Sequence, residues 1–459
     1  METTRRLFLK QGAIALASVG LGPALGPRFL RSTVFADEPR RAGSATGGRK
    51  ILICIFQRGA VDGLSMVVPH GDPAYYQHRT IGPGGIALAR TGQESVIDLN
   101  GTFGFHPALA ALKPIYDAGH LAAIHACGSP HPTRSHFDAQ DFMESAVPGS
   151  KTVRDGWLAR TLAHCPEDAA RLKTPFRGVS MTAMMPRSLQ GEGNALAIPD
   201  LRTFGVGMTS VPVPGKRAAR RGGMGGNMAA GNMAEGNGDN KAAGGFEALY
   251  SEAVGDVLHG TGKEAFDALK QLKELRPGQY VPANGARYPG GRYGDALQQI
   301  AQLIKADVGL EVAFAEAGGW DTHVNQGGAQ GTLARRLGEL GQGLAALYAD
   351  LGDRMADVTI LTMSEFGRTV RQNGNGGTDH GHATCFLTLG ANVNGGKVLG
   401  QWPGLAPEKL YENRDLAVTT DFRDVFGEIA QKHLGVRDLT AVFPGYQSSP
   451  TKFRGVLRG

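Results

Sequence analysis

Lys50-Ile51-Leu52-Ile53-Cys54-Ile55-Phe56-Gln57, followed by Arg58-Gly59-Ala60-Val61-Asp62-Gly63, decides the fold class. A short, nearly unbroken apolar run closed by glycine and polar residues is what a central strand of a largely parallel sheet looks like. Four more runs of this kind follow: Leu121 to Cys127, after a helix predicted to begin near Pro107, then Glu311 to Ala315, Val358 to Met363 and Cys385 to Leu389. Between the third and fourth, Leu333, Leu337, Leu340, Leu344, Leu347 and Leu351 recur at helical spacing, a stripe suited to packing on a sheet face. Strands alternating with helical patterns predict an α/β protein with a largely parallel sheet.

In open α/β sheets ligands gather at the carboxyl ends of the strands, so the residues just after each run are where chemistry is sought. After the first run stands Asp62. After the second come His131, Arg134, Ser135, His136 and Asp138. After the third comes Gly318-Gly319-Trp320-Asp321-Thr322-His323, and after the fourth Ser364-Glu365-Phe366-Gly367-Arg368-Thr369. Immediately before the fifth stands Thr378-Asp379-His380-Gly381-His382. Each has a plain structural alternative: Asp62-Gly63 as a tight turn, Ser135 with Asp138 as a capping box, Asp379-His380 as a solvated loop. Five such segments at one sheet edge point instead to a two-metal centre, with carboxylates and imidazoles around Zn²⁺, Mn²⁺ or similar ions. Asp321 and His323, two apart in an extended segment, point the same way and suit one ion. Ser135 at a helix start is placed for an activated nucleophile or an anion contact, and Arg134 and Arg368 for bidentate contacts to phosphate or sulfate. No GxGxxG follows the first strand, so a nicotinamide or flavin enzyme has no support.

The amino terminus carries an address. Thr4-Arg5-Arg6-Leu7-Phe8-Leu9-Lys10, a mildly apolar run from Gly12 to Leu25 and the cleavage-type Val34-Phe35-Ala36 read as a twin-arginine signal peptide over residues 1–36. That leader implies passage through the twin-arginine translocase to the periplasm or cell surface. The run is broken by Gly20, Gly22 and Pro23 and is too short for a membrane span, and no other stretch qualifies. The leader holds five basic residues and one acidic residue, against 48 and 42 in the chain, so the remainder is close to neutral, near +2. That balance gives no reason to invoke nucleic acid or an anionic membrane.

Residues 37–49 read as a linker and 50–459 as one α/β domain with a Gly-, Asn- and Met-rich insertion at 206–245. The insertion reads as a solvated loop; metal binding by Met224, Met228 and Met233 is the lesser reading. Helical patterning resumes from Phe246 to Leu275. Cys54, Cys127, Cys165 and Cys385 show no zinc-ribbon or CxxC spacing and are expected as buried thiols, although an exported location would permit a bridge.

The leader, Gly-Gly-Trp-Asp-Thr-His, Ser-Glu-Phe-Gly-Arg-Thr and Thr-Asp-His-Gly, in this order, resemble the family named domain of unknown function 1501, over nearly the whole mature chain. That family is similar in turn to the alkaline phosphatase and sulfatase superfamily. The resemblance implies an alkaline-phosphatase-like fold, a three-layer α/β/α sandwich around a mostly parallel central sheet, with a bimetal site, a Ser, Thr or formylglycine nucleophile and a small anionic ester as substrate. Position by position it implies Asp62 as ligand of the second metal, Ser135 as nucleophile, and Asp321 with His323 as ligands of the first metal at a shortened spacing. Two assignments satisfy its Asp-His pair: Asp379 with His380 by local sequence, or Glu365 in place of the aspartate with His380 as the lone histidine by topology. His382 falls behind the metals, and Glu316 where some phosphatases place a magnesium ligand. The expected activity is a metal-dependent hydrolase of phosphate or sulfate esters. Ser135 lies in Arg-Ser-His-Phe, outside the formylglycine context, which disfavours that type of sulfatase. The alternative is a non-catalytic metal- or ligand-binding surface protein on the same fold.

Overall fold

The computed structural model describes residues 49–166, 174–193, 195–203 and 277–459. The leader, nearly all of the linker, the 206–245 insertion and the 246–275 helical pattern lie outside these residues. Described residues up to Leu201 and from Pro277 onward belong to one compact unit.

Nine strands form its main sheet: β1 (Ile51–Arg58), β2 (Leu121–Gly128), β3 (Gly178–Ser180), β4 (Ala195–Ala197), β5 (Val312–Gly318), β6 (Val358–Met363), β7 (Thr384–Leu389), β8 (Lys397–Leu399) and β9 (Thr420–Asp421). Their order is β8-β2-β7-β6-β1-β5-β3-β4, with β9 also paired to β2. β1 is central, parallel to β5 and β6, with Leu52 opposite Val312 and Thr359. All pairings in this sheet are parallel except those of β7, which runs against both β6 and β2. The five apolar runs are the five longest strands.

Five helices matter here: α1 (His136–Ser145), α2 (Trp157–His164), α3 (Arg292–Lys305), α4 (Thr332–Leu351) and α5 (Phe422–Lys432). Side chains alternate across a strand, so Leu52, Cys54 and Phe56 share one face of β1. That face packs with Trp157, Leu158 and Leu162 of α2 and Phe422, Val425, Phe426 and Ile429 of α5. Trp157 stacks on Phe426 with ring centroids 4.3 Å apart. Burial of each such side chain stabilises the fold by about 1.5–3 kcal/mol. α3 packs on α4 and beside β5, and all six leucines of the α4 stripe are buried. The arrangement is a mixed α/β fold compatible with three layers. The helix expected near Pro107 begins as a 3-10 turn, Pro107–Leu112, and becomes α-helical only over Lys113–Asp117. All four cysteines are buried.

The reversal of β7 positions the site. Because it enters the sheet from the edge where β1, β2, β5 and β6 end, the segment before it lands beside the segments after them. Backbone bonds then zip the two motifs together: Gly367 N to His382 O at 2.8 Å, Gly381 N to Gly367 O at 2.8 Å and Thr369 N to Asp379 O at 2.9 Å. Trp320, almost fully buried, donates its indole N–H to Ala317 O at 2.7 Å and pins the loop after β5. Gly59 closes the crossing: at φ +114° a Cβ there would lie 2.9 Å from Asp321 N.

Candidate metal centre

Three imidazoles meet at this edge, each with its rear nitrogen held by an acceptor. His136, the first residue of α1, sets Nδ1 2.8 Å from Glu365 Oε1. His323 sets Nδ1 3.1 Å from Asp379 Oδ1, and His380 sets Nδ1 2.8 Å from the carbonyl oxygen of Arg134. These oxygens can only accept, so the proton sits on Nδ1 in every ring and the neutral imidazole keeps its lone pair at Nε2.

The three Nε2 atoms turn toward one another. His380 Nε2 lies 3.0 Å from His136 Nε2 and 3.0 Å from His323 Nε2. Asp321 Oδ1 lies 3.2 Å from His380 Nε2, 2.9 Å from His323 Nε2 and 3.6 Å from His136 Nε2. Lone pairs this close repel unless a proton or a cation sits between them. His136, Asp321 and His380 present ligand atoms all within 4.8 Å of one another, with His323 flanking the set. A tetrahedral zinc ion with bonds of 2.0–2.1 Å spaces its donors about 3.3 Å apart. The spacing and the nitrogen-oxygen donor set therefore fit a divalent ion.

The electrostatics are those of a prepared site. Burial pushes the Glu365 carboxyl up, but hydrogen bonds from His136, Gln140 and the Gly59 amide hold it below the usual range. The bond to Glu365 in turn raises His136, whereas burial, aided by His136 and Arg368, lowers His380. Asp321 is kept ionised against burial by the guanidinium of Arg368, whose Nη1 donates to Oδ1 at 2.7 Å. Asp379 is held low, also against burial, by Asn373 and His323.

Of the residues expected as ligands, Asp321, His323 and His380 are brought together here. Glu365 and Asp379 stand behind the imidazoles as acceptors, Glu365 to His136 and Asp379 to His323. Asp62 is fully buried and engaged elsewhere: Arg79 binds it through two guanidinium nitrogens at 2.8 and 3.0 Å, Ser65 at 2.8 Å and Gln326 at 2.7 Å. It also caps the helical turn Gly63–Met66, as its turn reading expects.

Ser135 is exposed beside His136, and its hydroxyl makes no hydrogen bond among the described residues. It does not form the capping box, and Asp138 pairs with Lys151 instead. Both arginines are occupied by the protein itself. Arg134 binds Asp415 and Glu412. Arg368, its side chain wholly buried, binds Asp321 and both oxygens of Thr378. His382 donates through Nε2 to Ser129 O and packs on Tyr411, and Glu316 pairs with Arg58. His136 is the residue whose part the sequence reading missed: it stands among the metal-ligand types after the second strand, but the role went to its neighbour Ser135.

Every residue of this cluster falls within 49–443, the span that matches the model of a family described as "Protein of unknown function (DUF1501)". The chain belongs to the DUF1501 family. None of the curated proteins matches it. Within the DUF1501 span lie the three imidazoles, both carboxylates behind them and all nine strands of the sheet.

Proposed function

We propose that this DUF1501 protein is an exported, metal-dependent hydrolase of phosphate or sulfate esters, with an alkaline-phosphatase-like arrangement of its sheet. One observation carries the reading: three imidazoles with Nδ1 protons fixed by acceptors gather their Nε2 atoms around the Asp321 carboxylate. His136, His380 and Asp321 would hold the principal ion, with His323 as a further ligand or neighbour. A divalent ion there would supply Lewis acidity and lower the pKa of water. Glu365 fixes the tautomer of His136, and Asp379, held by Asn373 at 3.1 Å, fixes that of His323. Arg368 keeps Asp321 charged. A second ion would draw on Asp379 or Glu365, whose nearer oxygens already accept two and three hydrogen bonds. The support is thus for one ion at this point. The twin-arginine leader accords with a site that exists only in the folded chain, because export after folding lets the metal be chosen in the cytoplasm.

A second reading, a non-catalytic metal-binding protein, is favoured by the occupation of Arg134 and Arg368 and by the lack of a base on Ser135. The two readings separate in one experiment. Full-length protein loaded with Zn²⁺ or Mn²⁺ is assayed on aryl phosphate, phosphodiester and aryl sulfate substrates, beside Ser135→Ala. Turnover that depends on added metal supports the hydrolase, and its loss in Ser135→Ala supports the nucleophile. Bound metal with no turnover on any substrate favours the binding protein.

A further inference from the structure

A buried hydrogen-bonded chain runs from the first strand to the candidate centre. Asp62, fixed by Arg79, accepts from Gln326 Nε2 at 2.7 Å. A carboxylate only accepts, so the amide nitrogen of Gln326 must face Asp62 and its Oε1 must face away. There Oε1 receives two hydroxyls, Thr322 at 2.8 Å and Thr378 at 2.8 Å. Having given its proton to Gln326, the Thr378 hydroxyl offers only lone pairs, and Arg368 Nε donates to it at 3.2 Å. Arg368 Nη2 donates to the Thr378 carbonyl at 2.6 Å. Two anchors on one residue fix the plane of the rigid guanidinium, and with it the direction in which Nη1 meets Asp321 Oδ1 at 2.7 Å. Asp62, Thr322, Gln326, Arg368 and Thr378 are all buried, so water does not compete for the links.

We propose that the chain Asp62–Gln326–Thr378–Arg368 sets the position of the Asp321 carboxylate, making Asp62, Gln326 and Thr378 positioning residues for the metal centre. The donor sense of every link follows from Asp62 being an acceptor at the start. This gives the buried aspartate after the first strand a part in the site without placing it on the metal. The inference rests on the metal reading above, and the test separates the two.

The full chain is titrated with Co²⁺ and Zn²⁺ against a competing chelator, and the visible spectrum of the Co²⁺ form is recorded. Thr378→Val keeps the side-chain shape and removes the hydroxyl, while Thr378→Ser keeps the hydroxyl and removes the methyl group. Residues behind metal ligands typically affect affinity 10–100-fold; one link further back, Thr378→Val is expected to lose about tenfold in affinity and to change the Co²⁺ spectrum. Thr378→Ser is expected to stay within about threefold of wild type. Gln326→Met breaks the chain one link earlier and should reproduce the Thr378→Val spectrum. A role in packing alone gives the opposite ranking, with the serine variant the worse. Wild-type protein that takes up neither ion overturns the metal reading and the relay with it. Wild-type binding matched by Thr378→Val and Gln326→Met overturns the relay alone.

Discussion

Replacing Glu365 by glutamine removes a charge while leaving a shape. One carboxylate oxygen, Oε1, accepts from His136 Nδ1, Gln140 Nε2 and the Gly59 amide, each at 2.8 Å. The amide oxygen of glutamine can take its place and receive the same three donors, so the fold should survive. What is lost is the charge assistance, about half the strength of such bonds, and with it part of the basicity of His136 Nε2. Metal affinity in Glu365→Gln is therefore expected to fall about tenfold, or ~1.4 kcal/mol, with little change in melting temperature. Glu365→Leu differs because it orphans three half-buried donors, at up to about 1–3 kcal/mol each. A loss of up to ~3–9 kcal/mol is a large share of the 5–15 kcal/mol that holds a domain together. Chelator-competition titrations and thermal melts on both variants measure the two effects separately. Wild-type affinity in Glu365→Gln, or a stability loss equal to that of the leucine variant, would refute the assignment of Glu365 as the group that fixes His136.

Two further predictions concern a pair of buried histidines and the turn at Gly59. His125 and His433 each donate through Nε2 to a carbonyl, of Val67 and Ile51, and each accepts at Nδ1, from Ala126 N and Asn392 Nδ2. Neither ring has room for a second proton, and burial lowers both from 6.5 to about 4. Between those values the unfolded chain takes up protons that the folded chain refuses. Stability present above pH 6.5 is thus lost as the pH falls toward 4, by about 3 kcal/mol for each histidine at 1.36 kcal/mol per pH unit. Denaturant melts from pH 7 to 4 check this, and a flat profile would contradict it. Gly59→Ala places a methyl group 2.9 Å from Asp321 N at φ +114°, so both melting temperature and metal affinity are expected to drop. An unchanged melt would show that the crossing of the two loops is looser than described.

The long strands were legible because burial on both faces demands unbroken apolar runs such as Ile51–Arg58 and Val358–Met363. β3, β4, β8 and β9 were not, since two or three residues carry no pattern. The direction of β7 was also hidden: Cys385–Leu389 reads alike whichever way it runs. The motifs at the strand ends were legible as chemistry, but not their division into groups facing the ion and groups behind them. That division depends on which nitrogen of each imidazole meets which oxygen, a matter of a few ångströms set by the zipping of 367–369 onto 379–382. Asp62 shows the same gap. Its partner Arg79 lies in a segment with no motif, so an aspartate after the first strand reads as a ligand until the guanidinium that occupies it is seen.

Elemental analysis of purified full-length protein, beside a His136→Ala/His380→Ala variant, tests the centre most directly. The wild type is expected to carry about one equivalent of a divalent transition metal, with the paired variant retaining the fold by circular dichroism and losing the metal. Metal-free wild-type protein that stays empty after incubation with Zn²⁺, Mn²⁺ or Co²⁺, or a variant that binds as much as the wild type, would contradict the assignment.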